Sequence, residues 1–284
     1  MVQLPTLTKI AVARMLSTAV TTGRRLVGQT TQARFRRNGI EWELDLEEGI
    51  DFAIFLFGQF DLSTARAYRR LVNPGDTVLD IGANIGAHTL PLAHRVGPRG
   101  RVVAFEPTEF AFRKLMRNLE LNQELAHRVS PVHALLVRDE AATPPSRIHS
   151  SWPLVRSDAL HPGHGGALKS TGDCKAVRLD DWIADNELQR VDFIKLDVDG
   201  SELHVLGGGR RTLENDRPLI LLELCPHLFD DNPSGTFADL IELLAETGYA
   251  LRTLAGRALP MADSDALQAM IPRQGSINAI GSRA

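Results

Sequence analysis

Between Thr77 and Leu90 the chain reads Thr-Val-Leu-Asp-Ile-Gly-Ala-Asn-Ile-Gly-Ala-His-Thr-Leu, a short apolar run that breaks at two glycines and resumes as a helical pattern. Gly82 and Gly86 lack a Cβ, and Asn84 is among the few other residues that accept a left-handed backbone, so a ligand can approach the main chain closely there. A buried strand, a glycine turn and a helix form the opening unit of a parallel sheet with crossover helices. The same alternation continues downstream. RVVAFEP precedes a helix from about Thr108 to Leu121, and PVHALLVRDE, AVRLDDWIAD and VDFIKLDVDG follow. A helix from about Glu202 to Leu213, the strand PLILLELC, a helix from Phe237 to Glu246, YALRTL and SINAIGS complete the series. The expected class is α/β.

Residues 1–57 read differently. TLTKIAVARMLSTAVTTGRRLVG places apolar side chains at Ile10, Val12, Leu16 and Val20, interrupted by Lys9, Arg14, Arg24 and Arg25, and predicts a helix. Lys9 and Arg14 break the unbroken apolar stretch that a secretory leader needs. Packing on the main domain is the simplest use of this helix, with a membrane surface or a dimer contact as alternatives. ARFRRNGIEWELDL alternates apolar and polar residues around Asn38-Gly39, the signature of a tight hairpin. DLSTARAYRRLV reads as a helix that Asp61 or Ser63 can cap. From Ala141 to Asp173 the chain is rich in Pro, Gly, Ser and His without a period, which predicts a long irregular loop.

Composition removes several function classes. The 32 basic against 35 acidic residues give a net charge of -3, without the basic excess of a protein whose whole surface holds nucleic acid. No uninterrupted apolar run approaches the length of a membrane span. Cys174 and Cys225 are too few and too far apart for a disulfide scaffold or a zinc cluster, which makes a reducing, cytoplasmic setting the default expectation.

The glycine turn has the form of a nucleotide cradle, but its spacing is GxNxG rather than the GxGxxG that seats a pyrophosphate at a helix end. Asp80, two residues before Gly82, would repel a pyrophosphate yet can accept hydrogen bonds from an ammonium group. That favours S-adenosylmethionine, which carries an amino group, a sulfonium and no phosphate. Glu106 ends the second strand, 24 residues after Gly82, where a carboxylate accepts the two ribose hydroxyls. Thr89, at the start of the helix, joins Asp80, Gly82, Asn84, Gly86 and Glu106 as a candidate cofactor contact. A nicotinamide-dependent oxidoreductase is the rival from a different class, since a dinucleotide would also satisfy Glu106.

The chain resembles the FkbM-type S-adenosylmethionine-dependent methyltransferases. The resemblance rests on GDTVLDIGANIGAHTLPLA (Gly75 to Ala93), VVAFEPTEFAFRKLMRNLELN (Val102 to Asn122), VRLDDW (Val177 to Trp182), VDFIKLDVDGSELHVLGGG (Val191 to Gly209) and RPLILLE (Arg217 to Glu223). It implies a Rossmann-like class I methyltransferase domain over 58–284, with a seven-stranded, mostly parallel sheet in which SINAIGS is the last, antiparallel strand. Residues 1–57 then form an N-terminal helix and hairpin extension. The family's fourth-strand motif resembles KxDxEGxE, whereas here Asp199 stands where glutamate is more common. The resemblance leans towards O-methylation of secondary metabolites or glycans, with N-methylation the near alternative.

In open α/β sheets the ligand lies beyond the carboxyl ends of the central strands, so Asp80, Glu106, Asp197 and Glu223 are expected on one rim. Asp197, beside the cofactor crevice, is a candidate for both cofactor binding and catalysis. Asp199 and Glu223 are further catalytic candidates, although Asp199 with Glu202 also matches a capping box. Lys195 reads equally as a paired structural charge or a functional one. An alcohol acceptor must lose a proton, and His227, after the fifth strand, is the leading histidine for that task. His88, His94 and His204 read as packing or surface residues. No metal site is assigned, although Asp197, Asp199 and Glu223 are oxygen ligands of the kind magnesium takes. Acceptor choice is assigned to the extension and to the 141–173 segment, where His149, Ser150, Ser151, Trp152, Arg156, His161 and His164 suit a hydroxylated small molecule or glycan. A homodimer is compatible with the sequence.

Overall fold

The computed structural model describes residues 6–139, 143–150, 152–155, 166–229 and 235–283. The chain begins with α1 (Thr6–Leu26), the hairpin β1 (Gln32–Arg37) and β2 (Ile40–Asp45), α2 (Gly49–Phe57) and α3 (Leu62–Leu71). Then come β3 (Thr77–Ile81), α4 (Thr89–Val96), β4 (Arg101–Phe105), α5 (Glu109–Glu120), α6 (Gln123–Ala126), β5 (Val129–Val132) and β6 (Ala134–Leu136). The next elements are β7 (Arg147–Ser150), β8 (Ala167–Ser170), β9 (Lys175–Val177), α7 (Leu179–Asp185), β10 (Phe193–Leu196), α8 (Glu202–Gly208) and α9 (Arg210–Asn215). The chain closes with β11 (Leu219–Leu224), a 3-10 turn at Pro226–Leu228, α10 (Phe237–Glu246), β12 (Tyr249–Thr253), α11 (Ser264–Ala269) and β13 (Ile277–Arg283).

Seven strands form one sheet in the order β12-β13-β11-β10-β3-β4-β5. β3, β4, β5, β10 and β11 run parallel, whereas β13 slots between β11 and β12 and runs antiparallel to both. This is the class I methyltransferase arrangement that the resemblance implies. Strand side chains alternate between faces, so Leu79 and Ile81 enter one core while Val78 enters the other. Both faces are covered, as a parallel sheet requires. β5 is the edge strand, where Pro131 removes no ladder hydrogen bond that the sheet needs.

The hairpin joins this body instead of standing apart. Asn38 and Gly39 take φ of 51° and 80°, which the tight turn demands. Trp42, Leu44 and Leu46 are buried in the same core as Val78, Leu90 and Val102, and each such side chain contributes roughly 1.5–3 kcal/mol by leaving water. The free edge of β2 is closed by two asparagines, Asn118 on α5 and Asn122 at the start of α6. Asn118 accepts from the Glu43 amide at 2.9 Å, while Asn122 accepts from the Glu41 amide at 3.0 Å and donates to its carbonyl at 2.7 Å. Asp61 caps α3 as its sequence position suggests, accepting from Ser63 and Thr64.

Three expectations change. PVHALLVRDE does not form one strand; β5 ends at Val132, and β6 leaves the main sheet to pair with β9. The 141–173 segment is not irregular throughout, because β7 and β8 form an antiparallel ladder within it. Helix α1 packs inward through Ser17 and Thr21, both about 3% exposed, while Val12 and Leu16 face outward. The Ser17 hydroxyl donates to the Leu46 carbonyl at 2.6 Å, so small polar residues let the helix lie close to the chain leaving β2. Among the described residues no helix is long and apolar enough to cross a membrane.

Candidate active site

A cavity of about 780 Å³ opens over the carboxyl ends of β3, β4 and β10. Its lining falls into two groups, Gly82, Asn84, Glu106, Pro107 and Asp197 at or just after the strand ends, and Ile50, Phe60, His88, Ile148, Trp152 and His227 from the elements around them.

The first group is built from strand termini. After β3 the chain turns left-handed at Gly82, with φ of 79°, and a Cβ there would sit 1.9 Å from the Asp197 carbonyl oxygen. Glycine is therefore demanded by the crossing of two strand ends. Five successive amides of this turn are satisfied inside the protein. Gly82 and Ala83 donate to the Phe105 carbonyl, Asn84 to Glu106 Oε2 at 2.9 Å, Ile85 to the Asn84 side chain and Gly86 to the Ala83 carbonyl. None of the five is presented to a phosphate.

Glu106 is buried on the cavity wall. Its Oε1 accepts from the Thr108 amide and hydroxyl, and burial holds its carboxyl above the usual range despite these bonds. Lys195 is a buried cation beneath the same wall. Its Nζ donates to the Gly82 carbonyl at 3.1 Å and lies 3.5 Å from both Asp80 Oδ1 and Asp197 Oδ2. Asp197 and Asp80 outweigh the burial that would discharge this lysine, and its pKa rises.

The expected cofactor contacts therefore divide. Gly82, Asn84, Glu106 and Asp197 reach the wall. Asp80, Thr89 and Gly86 stand behind it. Asp80 is fully buried, accepts from the Thr89 hydroxyl at 2.6 Å and is linked through Lys195 to Asp197 on the wall. Gly86 fits a packing role, since a Cβ would meet Leu115 at 2.9 Å.

Among the catalytic candidates, Asp197, Asp199 and His227 line the cavity, and Glu223 does not. Asp199 lines the cleft at an exposed position and faces its open space. Its surroundings, with Asp197 and Glu202 close by, push its carboxyl up to about 8. Burial and the Asp197 charge push Glu223 likewise to about 8, and the Ser276 hydroxyl donates to it. Glu202 rises to about 7 through burial, and its Oε1 accepts from the Gly200 amide at 3.4 Å. The capping box expected of Asp199 and Glu202 does not form, because Ser201 takes the N-cap position of α8 without a side-chain cap. Among the described residues no group of three or more His, Cys, Asp or Glu side chains is gathered as a metal site.

In the second group the sequence reading names Trp152, His149 and His227 but not Ile50, Phe60 or Ile148, and it reads His88 as a packing or surface residue. His88 is 4% exposed yet lines the cavity, packed between the rings of Phe60 and Tyr68 with its Nδ1 buried and unpartnered. Burial, with Lys195 nearby, pushes its pKa down to about 4 and keeps it neutral. The signal was its place immediately after the glycine turn. Trp152 arrives from a strap that is fastened to the extension. The Gly49 amide donates to the Trp152 carbonyl at 2.8 Å, the Leu154 amide to the Glu47 carbonyl at 2.7 Å and Arg14 Nε to the Leu154 carbonyl at 2.8 Å. His149 and Ser150 also line the cavity, whereas Ser151, Arg156, His161 and His164 fall outside the described residues.

Residues 80–251 match the family described as the methyltransferase FkbM domain. The chain belongs to this family. Among curated FkbM relatives, it is 32% identical over 177 residues to the 31-O-demethyl-FK506 methyltransferase FkbM of Streptomyces tacrolimicus, covering 52% of this chain and 66% of that protein. It is 26% identical over 165 residues to the 2-O-methyltransferase NoeI of Sinorhizobium fredii (strain NBRC 101917 / NGR234), covering 55% of this chain and 68% of that protein. A solved M. jannaschii TYW2 in complex with AdoMet aligns at 15% identity and a TM-score of 0.43, covering 89% of this chain and 87% of that one. Of the segments on which the FkbM resemblance rests, all but Val177 to Trp182 supply strands of the seven-stranded sheet, and that one supplies the end of β9 and the start of α7.

Proposed function

We propose that this chain is an S-adenosylmethionine-dependent methyltransferase that methylates a hydroxyl of a small molecule, a secondary metabolite or a sugar. The observation that carries the reading is the glycine turn whose five amides are all satisfied internally. A dinucleotide needs amides of this kind for its pyrophosphate. S-adenosylmethionine does not. Its ribose needs a carboxylate at the second strand end, and its cationic groups need acids nearby, which Glu106, Asp197 and Asp199 supply.

Bound in this cleft, S-adenosylmethionine supplies an electrophilic methyl group. Glu106, held by Asn84 and Thr108, accepts the ribose hydroxyls. Asp197, steadied by Lys195 and about 30% exposed, accepts from the ammonium group. On the other side Phe60 and Trp152, with ring centroids 5.5 Å apart, wall the acceptor and exclude water. Holding the acceptor oxygen close and in line provides most of the acceleration such a displacement needs. His227 takes the hydroxyl proton at a ring nitrogen, and His88, neutral at pH 7, adds an uncharged face to the wall beside Phe60. The names of the Streptomyces and Sinorhizobium relatives both specify transfer to oxygen, which supports a hydroxyl acceptor.

Calorimetry tests the reading. S-adenosylmethionine or its demethylated product is expected to bind with a free energy on the order of -8 kcal/mol, a micromolar dissociation constant, and NAD far more weakly. Tighter binding of NAD overturns it. Incubation with isotopically labelled methyl donor, read by mass spectrometry across hydroxylated and amine-bearing metabolites, separates oxygen from nitrogen transfer.

A further inference from the structure

Helix α1 carries an apolar stripe that the fold leaves uncovered. Val12, Met15 and Leu16 are 45%, 66% and 42% exposed, Ala19 follows one turn on, and Leu26 with Val27 at the helix end are 82% and 71% exposed. The spacing i, i+3, i+4, i+7 defines one helical face. The opposite face, with Ser17 and Thr21, is the one turned to the body. Ala13 and Val20 pack on the core beside Ser17 and Thr21, so the helix already has its buried side, and Val12, Met15, Leu16 and Ala19 form a second apolar stripe that stays on the solvent side.

Charge identifies what the stripe meets. Residues 1–40 contain seven Lys and Arg (Lys9, Arg14, Arg24, Arg25, Arg34, Arg36 and Arg37) and no Asp or Glu, in a chain whose overall balance is -3. The remaining 244 residues therefore carry -10. Some of this positive charge is answered by the body, since Arg25 pairs with Glu47 at 2.6 Å, Arg34 with Glu43 and Arg36 with Glu41. These acids lie on and after β2, and none lies on α1 itself. Two copies of α1 laid face to face would bring two basic helices together, which like-charge repulsion opposes. An anionic lipid surface attracts the same helix, and its apolar stripe enters the boundary between headgroup and acyl chain.

We propose that α1 is an amphipathic membrane-surface helix that docks the protein on anionic lipid. It lies in the interface without spanning the bilayer. The proposal is independent of the methyl acceptor. Arg14, through the Leu154 carbonyl, and the Gly49 amide, through Trp152, tie the strap at the cavity mouth to the extension that bears α1, so docking anchors the catalytic cleft close to the lipid.

The test is sedimentation of the full chain with vesicles of phosphatidylglycerol and phosphatidylcholine, against vesicles of phosphatidylcholine alone. Binding is expected to the anionic vesicles only, to fall as salt is raised, and to drop about tenfold or more in the double variant Met15→Asp with Leu16→Asp. Both positions are exposed, so circular dichroism and thermal melting of that variant should match the parent. Absence of binding at low salt, equal binding to both vesicles, or binding that the double variant retains overturns the proposal. So does light scattering that shows a dimer abolished by the same variant when no vesicle binding is seen, because the stripe then belongs to a second copy. Calorimetry with S-adenosylmethionine on the same preparations keeps this outcome separate from that of the functional reading.

Discussion

The two sides of the cavity are built in opposite ways. On the side proposed for the cofactor the wall residues follow the termini of central strands, and their polar atoms are tied to neighbouring strand ends and turns. Glu106 holds Asn84 and Thr108, and Lys195 holds Gly82, Asp80 and Asp197. On the side proposed for the acceptor, His88 follows the glycine turn, but Ile50, Phe60 and Trp152 come from parts distant in sequence, and Trp152 sits on a strap with a few main-chain bonds to the extension. The first side is preorganised by the fold itself. The second can be refitted without disturbing the first, which suits a family that keeps one donor and varies its acceptors.

If that contrast holds, substitutions on the cofactor side should be felt by the whole protein. Lys195→Met leaves Asp80 buried with only Thr89 as a side-chain partner, and an unpaired buried charge costs about 3–5 kcal/mol. Urea unfolding should show a loss of that size, and a loss under about 1 kcal/mol would break the claim that the rim is a structural unit. Gly82→Ala comes next. The new Cβ would lie 1.9 Å from a main-chain oxygen at a positive φ, so the two strand ends must part, at a cost of about 3 kcal/mol.

How legible each side was follows the same division. The turn, Glu106 and Asp197 could be read in the sequence because a strand end carries its own signal, an apolar run followed by an acid or a glycine. The place of SINAIGS between two earlier strands came from family resemblance, since no local feature of that segment specifies its neighbours. Asp80 misled because the sequence shows an acid before a glycine turn, whereas only the fold shows Lys195 and Thr89 closing over it. His88 looked like an ordinary helix-start residue, and its burial between Phe60 and Tyr68 depends on α3 packing from another part of the chain. In α1 the apolar residues were legible but their direction was not. The periodicity gives a face, and the hydrogen bond from Ser17 to Leu46 decides which way it turns.

Changes to the ligand contacts themselves should be smaller. Glu106→Gln keeps the shape but removes the charge from the bonds to the ribose hydroxyls, and should weaken S-adenosylmethionine binding by roughly 1–3 kcal/mol in calorimetry. A pH series sharpens the same point. The carboxyl of Glu223 rises from 4.5 to about 8 in the folded protein, so the native state holds a proton that the unfolded chain has lost. This contribution to stability is complete below the unfolded value and fades as pH climbs from about 4.5 through about 8. Urea midpoints of the parent should decline across that window, and Glu223→Gln, which cannot ionise, should decline less. Equal slopes would mean that Glu223 ionises in the folded protein as it does in water.

Trp152→Ala gives the smallest expected effect on the shared machinery and the sharpest test of the contrast. The side chain stands on the strap, its ring centroid 5.5 Å from that of Phe60, while Glu106 and Lys195 are held by Thr108, Asn84 and Gly82. The strap is held by its main chain, through the Trp152 carbonyl and the Leu154 amide, so truncating the indole leaves its fastening in place. S-adenosylmethionine affinity should therefore stay within about twofold, some 0.4 kcal/mol. For any acceptor that the labelled-methyl screen identifies, the Michaelis constant should rise, because the lost aromatic face contributes to binding before and during transfer alike. A fall in cofactor affinity beyond about tenfold would show instead that the strap supports both sides. The cavity would then be one cooperative unit, and acceptor preference could not change through the strap without disturbing how the methyl donor is held.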